Sequence, residues 1–241
     1  MRTRNITTTK KSSKTDLYDN LMFIITAAGA GHRMKYSGPK ALTDINGIPV
    51  IERQIDIISS AYPNADIVVV TGFESSKIHN ILHRNILTVD NPLYEENNIA
   101  ASIGVALRVC KDKNVCVVNG DLVFNKEAIP TKIKKSTVVL DKTDGLMNSR
   151  EVGVVVDKDV VENMMYDIPK KWGQIAFFFD NELELLRQIC FSYQKRNLYT
   201  FEVINEIIDK RGNFSVYDNS DIKIMDIDVI QDIDIAKKEF I

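Results

Sequence analysis

Three short apolar runs, "MFIIT" (22–26), "DIVVVT" (66–71) and "NVCVVNGD" (114–121), constrain this chain more than any other feature. Each is rich in β-branched residues, too short for a core helix, and followed by a loop bearing Gly or Asp. Amphipathic stretches separate them: residues 50–60, the short "KIHNILHRN" (77–85), and "NNIAASIGVALRVC" (97–110), which sets Ile99, Ser102, Ile103, Ala106 and Leu107 on one face. Strand, helix, strand in this order predicts a parallel sheet. Ligands of open α/β sheets bind beyond the carboxyl ends of the strands, so Gly29, Gly72 and Asp121 are expected to converge there.

Past Asp121 the texture changes. "STVVLD", "REVGVVVD" and "GQIAFFF" read as strands with no long helix between them; "NELELLRQICFSYQ" and "TFEVINEIIDK" read as helices, and "DIKIMDID" and "VIQDIDIAKKEF" as a closing strand and helix. The expected architecture is an α/β three-layer, Rossmann-like mixed sheet whose second half inserts a mixed-sheet region for a second substrate. Residues 1–20, rich in Ser, Thr, Lys and Arg, read as a disordered tail, and 21–241 as the folded domain. The tail lacks the apolar segment of a secretory signal.

Charge narrows the function. With 31 basic against 33 acidic side chains, no global field recruits nucleic acid or an anionic membrane, and an anion must be held locally. No apolar run approaches the roughly 20 residues of a membrane-spanning helix. Cys110, Cys116 and Cys190 lack metal-ligand spacing and sit beside apolar neighbours, which suits buried thiols in a reducing, cytoplasmic setting. His79 and His83 stand four apart without the Glu of a zinc protease between them.

The local anion site is "AAGAGHRMKYSGPK" (27–40). Glycines let backbone N–H groups approach phosphate oxygens, and a following helix start favours negative charge. A dinucleotide fingerprint fails, because position 34 is Met and "VVVTGF" offers no acidic residue; the Walker lysine spacing is absent. What remains is a glycine turn flanked by Arg33, which can grip terminal phosphates bidentately, and Lys40, a point charge nearer a reacting centre.

The set "AAGAGHRM…GPKAL…INGIPVIERQI" resembles the nucleotidyltransferase family of GT-A-like fold, whose members include sugar-1-phosphate, molybdenum-cofactor and choline-phosphate nucleotidyltransferases. "VVNGDLVF", "NNIAASIGVAL" and "IMDIDVIQDIDIAKK" are similar to further family segments. The resemblance implies that Ala27, Ala28, Gly29, Ala30, Gly31, Gly72, Asn98 and Ser102 line the nucleotide, and that Arg33 and Lys40 are catalytic. It implies Asp121 and Asp228 as Mg²⁺ ligands, with Asp226 the alternative to Asp228. Six residues separate Arg33 from Lys40, and "NN" stands at 97–98; both are closer to the choline-phosphate members than to the sugar-1-phosphate ones.

The implied reaction passes a nucleoside monophosphate, from CTP for preference, to a phosphorylated or phosphonate small molecule such as phosphocholine. On the acceptor side Lys170, with Lys171 as the other choice, is expected to neutralise the phosphate. Trp172, with Tyr166 near in sequence, is expected to face an ammonium group. Sugar-1-phosphate or polyol-phosphate acceptors, a GT-A glycosyltransferase and a non-catalytic nucleotide-binding module are the other readings. A homodimer is admitted.

Overall fold

A computed structural model describes residues 20–31, 38–83, 85–142 and 151–240. The expected tail, Asn20 excepted, and Arg33 lie outside these residues. In chain order the first half runs β1 (Leu21–Thr26), the hairpin β2 (Asp44–Ile45) and β3 (Ile48–Pro49), α1 (Val50–Ala61), β4 (Asp66–Thr71), α2 (Ser75–Ile81), β5 (Leu87–Asp90), α3 (Ile99–Leu107) and β6 (Asn114–Asn119). The second half runs β7 (Leu122–Phe124), β8 (Thr137–Leu140), β9 (Val152–Asp157), β10 (Val160–Tyr166), β11 (Trp172–Phe178), α4 (Asp180–Cys190), α5 (Thr200–Asp209), β12 (Ser215–Tyr217), β13 (Ile224–Asp226) and α6 (Ile230–Glu239).

Nine strands form one mixed sheet in the order β5-β4-β1-β6-β11-β8-β12-β10-β9. β5, β4, β1 and β6 are parallel, β11 runs antiparallel to β6, and β12 is parallel to β8. Parallel strands covered by helices on both faces must be apolar at every position, which is why the early runs show no alternation. Successive residues of β1 nonetheless divide between two cores. Met22 and Ile24 join the cluster holding Ile103, Leu186 and Ile204 of α3, α4 and α5, while Phe23 and Ile25 join Ile51, Ile55 and Ile58 of α1. A smaller cluster of Ile45, Val50, Val123, Ile227 and Ile233 anchors α6. The three-layer mixed α/β architecture is as expected.

The strand VVENMMY (β10) carries no clean alternation and is absent from the expectation. β9 and β10 are joined by Lys158 and Asp159, both at positive φ (46° and 65°), a turn geometry that usually announces itself through Asn or Gly. By contrast Asn46 (φ 55°) and Gly47 (φ 85°) join β2 to β3 in the usual way.

Candidate functional site

The parallel strands bring three loops to one end of the sheet. Ala27 N–H donates to the Val70 carbonyl, Phe73 N–H to that of Ala28 and Gly120 N–H to that of Thr26, at 2.8, 3.0 and 2.9 Å. The turns after β1, β4 and β6 are thus stitched together. Close approach depends on glycine here: a Cβ on Gly72 would lie 2.7 Å from the Ala28 carbonyl oxygen, and one on Gly120 2.8 Å from that of Thr26.

Lys40 stands at the centre. It opens a single 3₁₀ turn, Lys40–Leu42, directly after Pro39. Its side chain passes beneath Gly31, where φ is +61° and a Cβ would stand 2.9 Å from Lys40 Cγ. Lys40 Nζ donates to Asp121 Oδ2 at 3.1 Å and to Asp228 Oδ1. Burial alone would lower the Lys40 pKa; the Asp121 and Asp228 charges and hydrogen bonds outweigh it and hold the ammonium above its ordinary value. Residues 81 and 188 positions away therefore meet at one ammonium group.

The carboxylates are held from behind. Asp121 carbonyl accepts from Ile227 N–H at 3.0 Å, and Asp232 Oδ2 at the start of α6 accepts from both Asp228 and Val229 N–H at 2.7 Å. Asp226 pairs across the β13–β7 ladder with Leu122. Burial raises its pKa, the Lys171 charge opposes that, and the Asp121 and Asp228 charges raise it further. Asp228, not Asp226, reaches Lys40.

Among the described residues no group of three or more His, Cys, Asp or Glu side chains is arranged to hold a metal. Two carboxylates converging on one cationic point nevertheless fit Mg²⁺, which keeps several waters and takes few protein ligands. His79 faces Thr71 and Asp90, and α2 ends before His83, so the two imidazoles share no site.

Of the expected nucleotide contacts, Gly29 is exposed, with nothing within 4 Å of where its Cβ would stand, and Ala30 and Gly31 are partly exposed. Ala27 and Ala28 are buried. Asn98 caps α3, its Oδ1 accepting from Ile99 N–H at 2.9 Å. Ser102 departs from expectation: it is buried, and its hydroxyl accepts from Asn91 Nδ2 at 3.0 Å, tying down the 91–98 loop. That network, which includes Asn91 to Asn97 at 2.9 Å, left no sequence signal beyond the "NN" itself.

The acceptor side needs a larger correction. Trp172 is 4% exposed within the core, at the edge of a narrow recess shared with Lys171 and Asp226, and its indole N–H donates to the Ile175 carbonyl at 3.2 Å. A lone Trp opening a strand carries no sign of which sheet face it occupies, and here a bulge between Trp172 and Ala176, with Gln174 at φ +56°, turns it inward. Lys170 is exposed, whereas Lys171 reaches Asp141 Oδ2 (3.1 Å) and Glu151 Oε1 (2.7 Å) and lies within the field of Asp226. The exposed aromatic surface is elsewhere. Tyr166 meets Phe201 edge to face at 5.3 Å, and Tyr199 stacks on Phe201 at 6.1 Å. Tyr166 pairs with Val152 in the β-ladder, one position from the Gly153–Lys171 bridge. Tyr199 follows Leu198, whose carbonyl accepts from Ala100 N–H near the start of α3.

Residues 23–164 match the MobA-like NTP transferase domain family. The Bifunctional protein GlmU of Aliarcobacter butzleri is 26% identical over 239 residues, covering 90% of this chain and 54% of that protein, so the chain spans about half the length of this relative. In fold it is similar to the CTP:phosphocholine cytidylyltransferase LicC of Streptococcus pneumoniae (TM-score 0.77, 20% identity, 91% of this chain and 98% of that one). It is also similar to the inositol-1-phosphate CTP transferase of T. maritima (TM-score 0.71, 16% identity, 91% and 97%). With more than half its residues matched and the glycine turn, lysine and carboxylates gathered at one sheet end, the chain belongs to the MobA-like NTP transferase domain family.

Proposed function

We propose that this chain transfers a nucleoside monophosphate, CMP from CTP for preference, to a phosphate or phosphonate oxygen of a small acceptor of the phosphocholine kind, releasing pyrophosphate. The observation that carries the reading is the meeting of Lys40 with Asp121 and Asp228 beneath the Gly29–Gly31 turn. The preference for CTP and for a small phosphorylated acceptor is supported by the names of the two solved neighbours and by the short spacing between Arg33 and Lys40.

An acceptor oxygen attacks the α-phosphorus in line, the new P–O bond forms, and the bond to the β-phosphate oxygen breaks. The acceptor is already anionic near neutral pH, so no general base is required. The barrier comes from repulsion between two anions and from charge growing on the leaving group. Lys40 places a fixed positive charge where that charge develops. Asp121 and Asp228 would hold Mg²⁺, which when bound neutralises phosphate charge and fixes the triphosphate's orientation. The turn at 29–31 leaves room for phosphate oxygens at the backbone. Lys170 is the exposed acceptor-side cation, whereas the Lys171 ammonium is already engaged by Asp141 and Glu151. The Tyr166, Phe201 and Tyr199 rings supply the surface that Trp172 does not, worth about 0.5–1 kcal/mol toward an exposed ammonium.

The test is pyrophosphate release from each of the four ribonucleoside triphosphates with Mg²⁺, against phosphocholine, phosphoethanolamine, aminoethylphosphonate, sugar-1-phosphates and polyol phosphates. Release is expected with CTP and an amino-alcohol phosphate, and Lys40→Ala should lower it by about 10² or more, as loss of one fixed transition-state donor does. Turnover only with a sugar-1-phosphate or polyol phosphate would move the acceptor to the class named for the T. maritima neighbour. Triphosphate binding with no release from any pair would leave a nucleotide-binding module instead.

A further inference from the structure

The stripe of α1 that faces the core is Val50, Ile51, Gln54, Ile55 and Ile58, and one of these five is polar. Gln54 is 1% exposed. Its Nε2 donates both hydrogens, to the Asn119 carbonyl at 2.9 Å and to the Leu122 carbonyl at 2.7 Å. Those carbonyls are the two ends of the turn between β6 and β7, and the residues between them are Gly120 and Asp121. One amide therefore spans the turn that presents Asp121.

The same turn carries other constraints. Gly120 N–H is tied to Thr26 and the Asp121 carbonyl to Ile227 N–H, one residue before Asp228. Asn119 Nδ2 donates to Gln174 Oε1 at 2.6 Å, where Gln174 itself holds a positive φ. Backbone tethers reach the turn from β1 and from the chain carrying Asp228, and side chains reach it from α1 and β11. Among the described residues only the Gln54 side chain grips both ends.

An apolar side chain at position 54 would suit the helix stripe better. Gln54 Oε1 is buried and accepts no hydrogen bond among the described residues, and a buried acceptor left so is costly. Stability does not account for an amide there; two donors aimed at the ends of one turn do. We infer that Gln54 is a positioning residue, whose amide holds the 119–122 turn so that the Asp121 carboxylate meets that of Asp228 at the spacing a divalent cation requires. This rests on the reading of Asp121 and Asp228 as the metal-holding pair. Removing an outer partner of a metal ligand typically weakens the metal 10- to 100-fold.

The test uses Mn²⁺ titrated into the full chain and followed by electron paramagnetic resonance, alone and again with inorganic pyrophosphate. Four proteins are compared: wild type, Gln54→Met, Gln54→Glu and Ile58→Ala, the last opening a cavity one turn along the same buried stripe. Mn²⁺ affinity is expected to fall at least about tenfold in both Gln54 variants, and in Ile58→Ala to stay within twofold of wild type despite a lower unfolding temperature. Folded Gln54 variants that bind Mn²⁺ as wild type does, or that lose no more than Ile58→Ala loses, overturn the inference while leaving the metal reading in place. Failure of both Gln54 variants to fold makes the residue a packing element and overturns it equally. Wild type without Mn²⁺ binding under either condition refutes the metal reading itself, and the inference falls with it.

Discussion

Gly31 shows how a single residue joins backbone geometry to chemistry. Its φ of +61° is a conformation that costs an L side chain roughly 1–2 kcal/mol, and the space a Cβ would need is held by Lys40 Cγ, 2.9 Å away. Gly31→Ala should therefore act on catalysis through Lys40 more than on stability. We expect the turnover number to fall by about 10²-fold, the scale of a 1 Å misplacement, with a stability loss near 1–2 kcal/mol; kinetics and urea unfolding of one preparation check both. A turnover number unchanged within twofold would mean that Lys40 accommodates the methyl without leaving its carboxylates. Gly31 and Lys40 were legible in the sequence because a glycine turn and a Pro-Lys pair near one strand end are local signals. Trp172 was not, since burial of a strand residue depends on which face the bulge before Ala176 presents.

Elements decide which aromatic rings stand together at the surface. The β9–β10 hairpin carries Tyr166, and the segment entering α5 carries Tyr199; the Phe201 ring touches both. Replacing Tyr166 or Tyr199 by Ala is expected to raise the KM for an ammonium-bearing acceptor by roughly two- to fivefold, the worth of a partly exposed cation–π contact, while leaving the KM for the triphosphate unchanged. Equal effects on both substrates, or none, would remove the rings from the acceptor surface. This hairpin was hidden from sequence reading. Its turn residues, Lys158 and Asp159, take positive φ without being Asn or Gly, and "VVENMMY" mixes polar and apolar residues on both faces. The β2–β3 hairpin, with Asn46-Gly47 at its tip, used the ordinary vocabulary.

For the molecule as a whole, the sheet is continuous, and in its second half a charge cluster ties the start of β11 to the chain after β8 and before β9. Lys171 bridges Asp141, whose side chain is 1% exposed, to Glu151, the residue directly before β9. Lys171→Met strands a buried carboxylate and should cost about 3–5 kcal/mol near neutral pH, measured by urea unfolding. In wild type, burial would depress the Lys171 pKa, but the hydrogen bond to Glu151 and the charges of Asp141, Glu151 and Asp226 raise it above its ordinary 10.5. A raised lysine pKa means that this contribution is complete below about pH 10 and disappears as pH rises through the folded value. Equal destabilisation by Lys171→Met at pH 7 and above the folded lysine pKa would show that packing of the stem matters, not the charge. No helix among the described residues is long and apolar enough to cross a membrane, and all three cysteines are buried.

By itself the sequence determined the parallel βαβ core and the glycine turn with Lys40 beside it, because apolar runs and turn residues act over a few neighbours; Asp121 and Asp228, with Asp226 as the alternative, came from the family resemblance. Only the tertiary structure decided that Lys40 meets both carboxylates, that Asp228 reaches it and not Asp226, that Lys171 is paired with Asp141 and Glu151, and that Gln54 grips the turn carrying Asp121. Those facts depend on strand order and on contacts across 20 to 188 residues, which no local pattern encodes.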